Sequence, residues 1–279
     1  MILEHTIRQA SKTLKKNNIE SHQLDAEVIL SNIMGVTREF LMVNSDFGIA
    51  KDVIQKYLIA IERRIKNEPV AYITGKKEFW SHDFIVNHNT LVPRPETELL
   101  IYKLINLYKN KKINILDIGT GSGCILLTLL KELKLAKGTG IDILPKAIAT
   151  AISNAKKMKL LSRSKFKAVD LENFNATKCD LIVSNPPYIS FKDLKNLSKD
   201  IRNFEPLVAL NGGNDGLDII KKVIYKSDCL LKKGGTLAIE IGNNQYSKVT
   251  NLLKYNGYRE ISKEFDYNNN VRCIITTKM

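Results

Sequence analysis

Residues 116–125 read LDIGTGSGCI, an apolar run that ends in three glycines at alternate positions. The pattern predicts a strand, a tight turn and then a helix, because apolar residues resume at helical spacing after the last glycine. Further strand-like runs follow, separated by helical stretches such as 126–135 and 147–160. The five runs are 113–119, 138–144, 165–171, 179–185 and 235–242. This alternation predicts an α/β fold with a doubly wound, mostly parallel sheet.

The spacing of the three glycines decides which nucleotide the turn suits. A dinucleotide-binding turn requires G-x-G-x-x-G, but the last glycine of that pattern would fall on Cys124 or Leu126. A phosphate-binding P-loop fails as well, because no Gly-Lys-Ser/Thr closes the turn. The remaining pattern, Gly119-x-Gly121-x-Gly123, suits a nucleoside that has no pyrophosphate.

An acid at the end of the second strand supports a nucleoside ligand. Asp142 can accept hydrogen bonds from both ribose hydroxyls, and the glycines allow the backbone to approach a ligand closely. The N-terminus of the following helix favours a carboxylate. S-adenosylmethionine carries this set of groups, and Asp117 can face its ammonium group directly or through water. The sequence therefore predicts S-adenosylmethionine as the cofactor.

A second motif, SNPPYIS at residues 184–190, follows the fourth predicted strand. Adjacent prolines cannot continue a helix or pair inside a sheet, so they predict a rigid corner. Asn185 and the backbone carbonyls supply hydrogen-bond acceptors there, and Tyr188 supplies an aromatic wall. Such acceptors suit a planar nitrogen that carries two hydrogens. Because ligands bind at the carboxyl ends of parallel strands, we expect this corner to lie beside the glycine turn.

The first third of the chain is predicted to be a small helical bundle. Apolar residues repeat at helical spacing over 3–14 and again over 53–65. Ser21 and Thr37 are predicted to cap helix N-termini, and Gly35 is predicted to end a helix.

Residues 75–92 then alternate apolar and polar side chains, which predicts a β-hairpin. The predicted domains are a helical domain at 1–73, a β-hairpin linker at 74–95 and the α/β domain at 96–279.

Composition narrows the class of protein further. The chain has 279 residues, of which 44% are hydrophobic, and no apolar run approaches the ~20 residues of a membrane span. The four cysteines and four histidines are scattered, so we predict no metal site, no membrane association and a cytoplasmic location. The formal net charge of +14 is spread along the chain. A bias of the amino-acid composition towards Lys, Asn and Ile, as expected from an AT-rich genome, is the simpler explanation of this charge. A binding role for the charge stays open.

Several further segments resemble one family of methyltransferases. They are LDAEVIL (24–30), GKKEFW (75–80), LVPRPETE (91–98), SNPPYI (184–189), FEPLVALNGGNDGL (204–217) and DYNNNVRCII (266–275). Together with the glycine turn, they resemble the PrmC/HemK family, the peptide-chain release factor N5-glutamine methyltransferases. The resemblance implies a class I, Rossmann-like methyltransferase domain joined by a β-hairpin to a small N-terminal helical bundle.

The resemblance also implies roles for individual residues. Leu171 stands where the family commonly has a bulky aromatic, so it can cover an adenine but cannot stack on it. The implied cofactor-binding residues are Gly119, Thr120, Gly121, Ser122, Gly123, Asp142, Asp170, Leu171 and Asn185. The implied catalytic residues, which also hold the glutamine amide, are Asn185, Pro186, Pro187 and Tyr188. Arg94 and Glu98 are expected to close the substrate side, or equally to form an ion-paired helix start.

The implied reaction is methylation of the glutamine in the Gly-Gly-Gln motif of class I peptide-chain release factors, with S-adenosyl-L-homocysteine as product. The helical domain would bind this protein substrate, and we expect a monomer with no nucleic-acid substrate. The alternative is an N6-adenine-type DNA or RNA methyltransferase, which would usually require a recognition domain for base flipping. A non-catalytic protein that binds the cofactor or the ribosome is a third possibility.

Overall fold

A computed structural model describes residues 2–279, which form two compact units. The first unit comprises the residues up to Lys76 together with Ser198–Phe204, and the second comprises Lys77–Leu197 and Glu205–Met279. This division differs from the predicted domains in two places. Most of the hairpin groups with the second unit, and the short segment at 198–204 groups with the first. The latter grouping has no sequence signal, because about 120 residues of chain separate the segment from its unit.

The first unit is a bundle of helices around an apolar core. Its helices are α1 (Leu3–Lys16), α2 (His22–Met34), α3 (Arg38–Val43), α4 (Lys51–Ile65) and α5 (Val70–Thr74), with α9 (Lys199–Phe204) from the later segment. Leu14, Leu30 and Tyr57 are fully buried in this core, and the Tyr57 hydroxyl donates to the carbonyl of Ala26 at 2.9 Å. The predicted helical bundle is therefore present.

The predicted helix ends of the bundle are confirmed at all three positions. Thr37 accepts a hydrogen bond from the backbone N–H of Phe40, and Gly35 ends α2 with a left-handed φ of 69°. Ser21 stands at the N-cap position of α2 as predicted, but its side chain accepts no backbone N–H of the helix. Its hydroxyl instead donates to Asp25 at 2.8 Å, a carboxylate that Arg64 also binds. A carboxylate accepts a stronger hydrogen bond than a serine hydroxyl can receive from a backbone N–H.

The second unit contains a two-stranded hairpin and a seven-stranded sheet. The hairpin is β1 (Lys76–Phe79) and β2 (His82–Ile85), joined by Trp80 and Ser81, which both have positive φ. The sheet strands are β3 (Asn114–Ile118), β4 (Lys137–Asp142), β5 (Ser164–Ala168), β6 (Cys179–Ser184), β7 (Leu231–Glu240), β8 (Tyr258–Phe265) and β9 (Val271–Lys278). The remaining helices are α6 (Thr97–Tyr108), α7 (Cys124–Glu132), α8 (Pro145–Lys157), α10 (Asp218–Leu230) and α11 (Tyr246–Tyr255).

The strand order is β5-β4-β3-β6-β7-β9-β8, in which β3 to β7 are parallel and β9 runs antiparallel between β7 and β8. The predicted α/β class, with its doubly wound sheet, is confirmed. The chain order reverses between β3 and β6, so the topological switch point lies at their carboxyl ends. The glycine turn follows β3 and the proline corner follows β6. The topology therefore brings the two predicted motifs together.

Helices cover both faces of the sheet because neighbouring strand residues point to opposite sides. Ile115 packs in the core under α6, α7 and α8, whereas Leu116 packs in the core under α10 and α11. The fit is close at Gly138, where a Cβ atom would lie 2.4 Å from the Leu126 side chain. This packing fixes α7, and with it the turn that precedes the helix.

Among residues 2–279, none of the helices is long and apolar enough to cross a membrane.

Candidate active site

A cavity opens at the carboxyl ends of β3, β4 and β6, inside the second unit. Its walls include ten of the predicted site residues: Arg94, Gly119, Thr120, Gly121, Ser122, Asp142, Asp170, Leu171, Asn185 and Pro187. Four others lie outside its lining: Glu98, Gly123, Pro186 and Tyr188. Both motifs therefore contribute to one site, and the contacts of the four residues outside the lining show what each of them does.

The glycine turn wraps around the end of β3 in a conformation that depends on glycine. Gly119, Gly121 and Gly123 have φ values of 74°, 54° and 80°, which L side chains rarely adopt. A Cβ atom on Gly119 would meet no atom within 4 Å, and one on Gly121 would only reach a backbone oxygen at 4.0 Å. These two residues thus leave open space beside the backbone for a ligand. Gly123 has another role, because its Cβ would lie 3.1 Å from Leu127, inside the helix packing.

Asp142 is held where the glycine turn meets β4. Its Oδ2 accepts from the N–H of Gly121 and its Oδ1 from the N–H of Leu144, both at 2.9 Å. Burial raises the pKa of Asp142, and these backbone N–H groups oppose the rise. A carboxylate has about four lone-pair positions, so about two remain for ligand hydroxyls. The geometry fits the predicted contact with a ribose diol.

Asp117 lies beneath the turn and does not line the cavity. It is fully buried, and its Oδ2 accepts from the Thr120 hydroxyl at 2.6 Å. Its Oδ1 has no hydrogen-bond partner within residues 2–279. Burial raises the pKa of this carboxyl to about 7. Asp117 therefore does not face the cavity directly, and Thr120, which lines the cavity, connects this buried carboxyl to the site.

Asp170 and Leu171 lie opposite the glycine turn. The Asp170 carboxylate accepts from the backbone N–H of Glu172 and so caps a short 3-10 turn at 171–173. This turn presents the half-buried Leu171 side chain to the cavity. The arrangement gives an apolar wall of the kind that covers a purine ring. The residues that line the cavity therefore fit S-adenosylmethionine.

The proline corner places Asn185 in the lining of the cavity, whereas the Tyr188 carbonyl is paired outside it. The side chain of Asn185 lines the cavity, and its Nδ2 donates to Thr97 Oγ1 at 3.2 Å. The Tyr188 carbonyl instead accepts from Gln245 Nε2 at 3.0 Å. One lone pair of this carbonyl is therefore taken up within the protein. A buried carbonyl needs a partner, and Gln245 supplies it.

A loop rich in glycine supports the corner from outside. A Cβ on Gly212 would lie 2.8 Å from the Pro187 carbonyl oxygen, and one on Gly216 would lie 2.4 Å from that of Tyr188. Backbone bonds join the two segments further, from Gly212 N–H to Ile189 and from Ile189 N–H to Leu210. The glycines are needed here so that two backbones can approach closely.

Arg94 and Glu98 have different surroundings. Arg94 lines the cavity and forms an ion pair of 2.6 Å with Glu205, whose other oxygen accepts from the N–H of Val92. Glu98 accepts from the N–H of Trp80 at 2.8 Å, so it holds the turn of the hairpin. Of the two, only Arg94 is brought to the site.

The residues that sequence reasoning missed form a buried polar network behind the corner. Glu240 is fully buried, with Oε2 at 2.6 Å from Thr97 Oγ1 and Oε1 at 3.3 Å from the Tyr188 hydroxyl. Arg272 donates to the same hydroxyl at 3.0 Å and lies over the Tyr188 ring. Burial raises the pKa of Tyr188, so its hydroxyl stays protonated and donates. An acid inside the apolar run 237–241 was the signal that could have pointed to this network.

The fold, the G-x-G-x-G turn and the acid that ends β4 together define a class I S-adenosylmethionine-dependent methyltransferase. A family model for a methyltransferase domain matches residues 109–278, and a model for the PrmC N-terminal domain matches residues 5–75. A methyltransferase from Pyrococcus furiosus has a similar fold, with a TM-score of 0.55 at 18% identity, over 78% of this chain and 96% of that one.

Full-length relatives give the particular family. A release factor glutamine methyltransferase from Buchnera aphidicola subsp. Schizaphis graminum is 36% identical, over 100% of both chains. Another, from Clostridium acetobutylicum, is 33% identical over 100% of this chain and 99% of its own. The chain belongs to the release factor glutamine methyltransferase family, which confirms the resemblance seen in the sequence.

Proposed function

We propose that the protein transfers a methyl group from S-adenosylmethionine to the side-chain amide nitrogen, N5, of the glutamine in the Gly-Gly-Gln motif of class I peptide-chain release factors. S-adenosyl-L-homocysteine is the second product. The observation that carries the proposal is the shared cavity: the nucleoside-binding turn and the Asn185 amide face the same space.

The acceptor nitrogen of an amide is planar and carries two hydrogens, and its lone pair is delocalised. The amide rotation barrier of ~18–20 kcal/mol sets the scale of that delocalisation. Hydrogen bonds of ~1–3 kcal/mol each cannot cancel it. Holding the nitrogen in line with the methyl group contributes ~7–11 kcal/mol, so positioning is the main task of the corner.

Asn185 accepts an N–H of the glutamine amide in this proposal and so aims the nitrogen at the cofactor half of the cavity. Pro186 and Pro187 restrict the backbone around it, and the Tyr188 ring, which Arg272 covers, lies outside the cavity lining and supports the corner. The cofactor supplies a methyl group on a sulfonium that becomes neutral on transfer. The methylated amide is a strong acid and releases its proton to water, so the corner needs no general base.

The cofactor half of the cavity, formed by the glycine turn, Asp142, Asp170 and Leu171, binds and orients S-adenosylmethionine. Asp142 accepts the ribose hydroxyls, Gly119 to Gly123 allow close approach of the methionine part, and Asp170 with Leu171 covers the adenine. Arg94, held by Glu205, lies on the substrate side, and Glu98 supports that side indirectly through the hairpin turn.

The helical bundle is proposed to bind the body of the release factor. Met42 and Val43 are 62% and 82% exposed on α3, and Phe47 follows at 49%. Neighbouring exposed apolar side chains of this kind are typical of protein-binding surfaces. We further propose a cytoplasmic monomer that does not use nucleic acid as its substrate.

Methyl transfer from labelled S-adenosylmethionine tests this function. We expect label in a class I release factor, and none when the motif glutamine of that factor is replaced by alanine. Label in DNA or RNA with none in the factor would instead establish the N6-adenine alternative. Cofactor binding without transfer to any of these substrates would reject both.

A further inference from the structure

A buried carboxylate is connected to the Asn185 amide through a single hydroxyl. Thr97 Oγ1 lies 2.6 Å from Glu240 Oε2 and 3.2 Å from Asn185 Nδ2. Glu240 and Thr97 are 0% and 2% exposed, so water does not compete for these contacts. The three side chains come from β7, from the first residue of α6 and from the corner after β6.

The hydroxyl of Thr97 has one proton, and Glu240 decides where it points. An ionised carboxylate only accepts hydrogen bonds, so the Thr97 proton must lie towards Glu240. Towards Asn185, the Thr97 oxygen can then offer only a lone pair. The amide nitrogen of Asn185 therefore faces Thr97, and its amide oxygen faces the other way, in a side chain that lines the cavity.

The other oxygen of Glu240 receives protons as well. Arg272 donates to the Tyr188 hydroxyl at 3.0 Å, and that hydroxyl lies 3.3 Å from Glu240 Oε1. A guanidinium is always charged and only donates, so the Tyr188 hydroxyl accepts from Arg272 and donates its own hydrogen bond to the Glu240 carboxylate. Burial raises the pKa of Glu240, and the contacts with Thr97, Arg272 and Tyr188 oppose that rise. Glu240 thus accepts a hydrogen bond from Thr97 at one oxygen and from Tyr188 at the other.

We propose that Glu240 is a positioning residue that, through Thr97, selects the Asn185 orientation with its oxygen towards the substrate nitrogen. The inference rests on the proposed function, because an acceptor is required only if the substrate nitrogen carries hydrogens. In the opposite orientation, an NH2 group of Asn185 would face the NH2 group of the substrate. Neither could accept, so turnover would be lost while cofactor binding would remain.

The decisive variant is Glu240→Gln, which keeps the size of the side chain and removes its charge. Next to Arg272 and Tyr188, the new amide presents its oxygen, so its NH2 group lies against Thr97. Thr97 then accepts from position 240 and donates to Asn185, which turns the Asn185 amide over. We expect kcat with a release factor to fall about 100-fold, as for two lost hydrogen bonds. The Kd of S-adenosyl-L-homocysteine should stay close to the wild-type value.

Variants of Thr97 and Thr236 distinguish a positioning role from a general effect on stability. Thr97→Ser retains the hydroxyl and should keep kcat close to wild type, whereas Thr97→Val should lower it. Thr236→Val is the matched control: Thr236 is equally buried, lies on the same strand as Glu240 and accepts from Tyr108 at 2.8 Å, far from the corner in the sheet. This control should lower Tm and leave kcat unchanged. An equal loss of kcat in Thr236→Val and Thr97→Val would reduce Glu240 and Thr97 to structural residues and overturn the proposal.

Neutron diffraction of deuterium-exchanged crystals reads the amide orientation directly and needs no methyl acceptor. The deuterons of Asn185 should lie on the Thr97 side in the wild type and on the cavity side in Glu240→Gln. The same orientation in both proteins would overturn the proposal, as would an unchanged kcat in Glu240→Gln. If the wild type methylates no release factor, the proposed function fails, and the diffraction result still decides what Glu240 does.

Discussion

The two loops that meet in the cavity are held in place by different means. The turn at 119–123 is held mainly through its backbone groups: the N–H groups of Gly119 and Thr120 donate to the carbonyl of Ile141 in β4, that of Gly121 donates to Asp142, and positive φ values bend the chain. The proline corner is held by side chains from other elements. These are Thr97 from α6, Glu240 from β7, Gln245 beside α11 and Arg272 from β9.

This difference separates binding from turnover. Changes in the turn act on the shape of the cofactor half and should appear in cofactor affinity. Changes in the corner, or in the side chains behind it, act on the placement of the substrate amide and should appear in kcat.

The largest effect is expected for Asn185→Ala. The variant removes the acceptor that aims the substrate nitrogen, and part of the ~7–11 kcal/mol available from positioning is lost with it. We expect kcat to fall at least about 1,000-fold. Isothermal titration calorimetry should give a Kd for S-adenosyl-L-homocysteine close to that of the wild type. A parallel loss of affinity and turnover would place Asn185 in the cofactor half only.

Asp142→Ala should have the converse effect. It removes the proposed ribose contacts and also leaves the N–H groups of Gly121 and Leu144 without their acceptor. At ~1–3 kcal/mol for each lost hydrogen bond, cofactor affinity should fall about 10- to 100-fold. Turnover at saturating cofactor should change little. Unchanged affinity in calorimetry would remove Asp142 from the binding site.

Gly119→Ala and Gly216→Ala compare the two loops directly. The two glycines have φ values of 74° and 75°, so both variants carry a similar backbone cost. At Gly119 the new methyl group meets no atom within 4 Å, whereas at Gly216 it would lie 2.4 Å from the Tyr188 carbonyl oxygen.

Gly216→Ala should therefore lower both Tm and kcat, with an effect on kcat of about tenfold for roughly 1.4 kcal/mol of misplacement. Gly119→Ala should mainly weaken cofactor binding. Thermal unfolding and steady-state kinetics on the pair measure the difference. Equal changes in Tm and kcat in the two variants would mean that the clash at Gly216 is relieved without cost. That result would contradict the proposed difference between the two loops.

The smallest effect concerns Asp117, which acts from beneath the turn. Burial raises its pKa to about 7, above the unfolded value of 3.8, so the folded protein favours the protonated form. The resulting contribution to stability is complete below the unfolded pKa and is lost as pH rises through about 7. A cationic ligand favours the ionised form, so cofactor affinity should increase over the same range.

Asp117→Asn should raise Tm at about pH 8 and flatten the pH dependence of cofactor affinity. Calorimetry at about pH 6 and about pH 8, on both proteins, measures the second effect. A wild-type affinity that does not vary between these conditions would contradict a titrating carboxyl under the turn.

The same contrast explains what could be predicted from sequence. The glycine turn and the proline corner are local patterns, and a sheet topology with a switch point is enough to bring them together. Asp142 was predictable because an acid at the carboxyl end of the second parallel strand must lie at the same edge of the sheet as the glycine turn. These features depend on neighbours in the chain, which a sequence displays directly.

The supports of the corner were not predictable, because each lies far along the chain from its partner. The bonds of Asn185 with Thr97, Tyr188 with Glu240 and Tyr188 with Arg272 span 88, 52 and 84 residues. Glu240 stands in a run predicted only as a strand, and nothing in that pattern says which hydroxyl it meets. Glu98 is a further case: it was expected on the substrate side or, equally, in an ion-paired helix start, and its carboxylate accepts from the N–H of Trp80 in the hairpin turn.

The position of β9 between β7 and β8 has a consequence for how the protein folds during its synthesis. During translation, Tyr188 is made 84 residues before Arg272, an interval of several seconds at ~5–20 residues per second. Until β9 is inserted, β7 and β8 have unpaired edges that can recruit other nascent chains. The Arg272 guanidinium that covers the Tyr188 ring belongs to the strand that pairs with the facing edges of β7 and β8. Maturation of the catalytic pocket and protection against misassembly are thus tied to one late event.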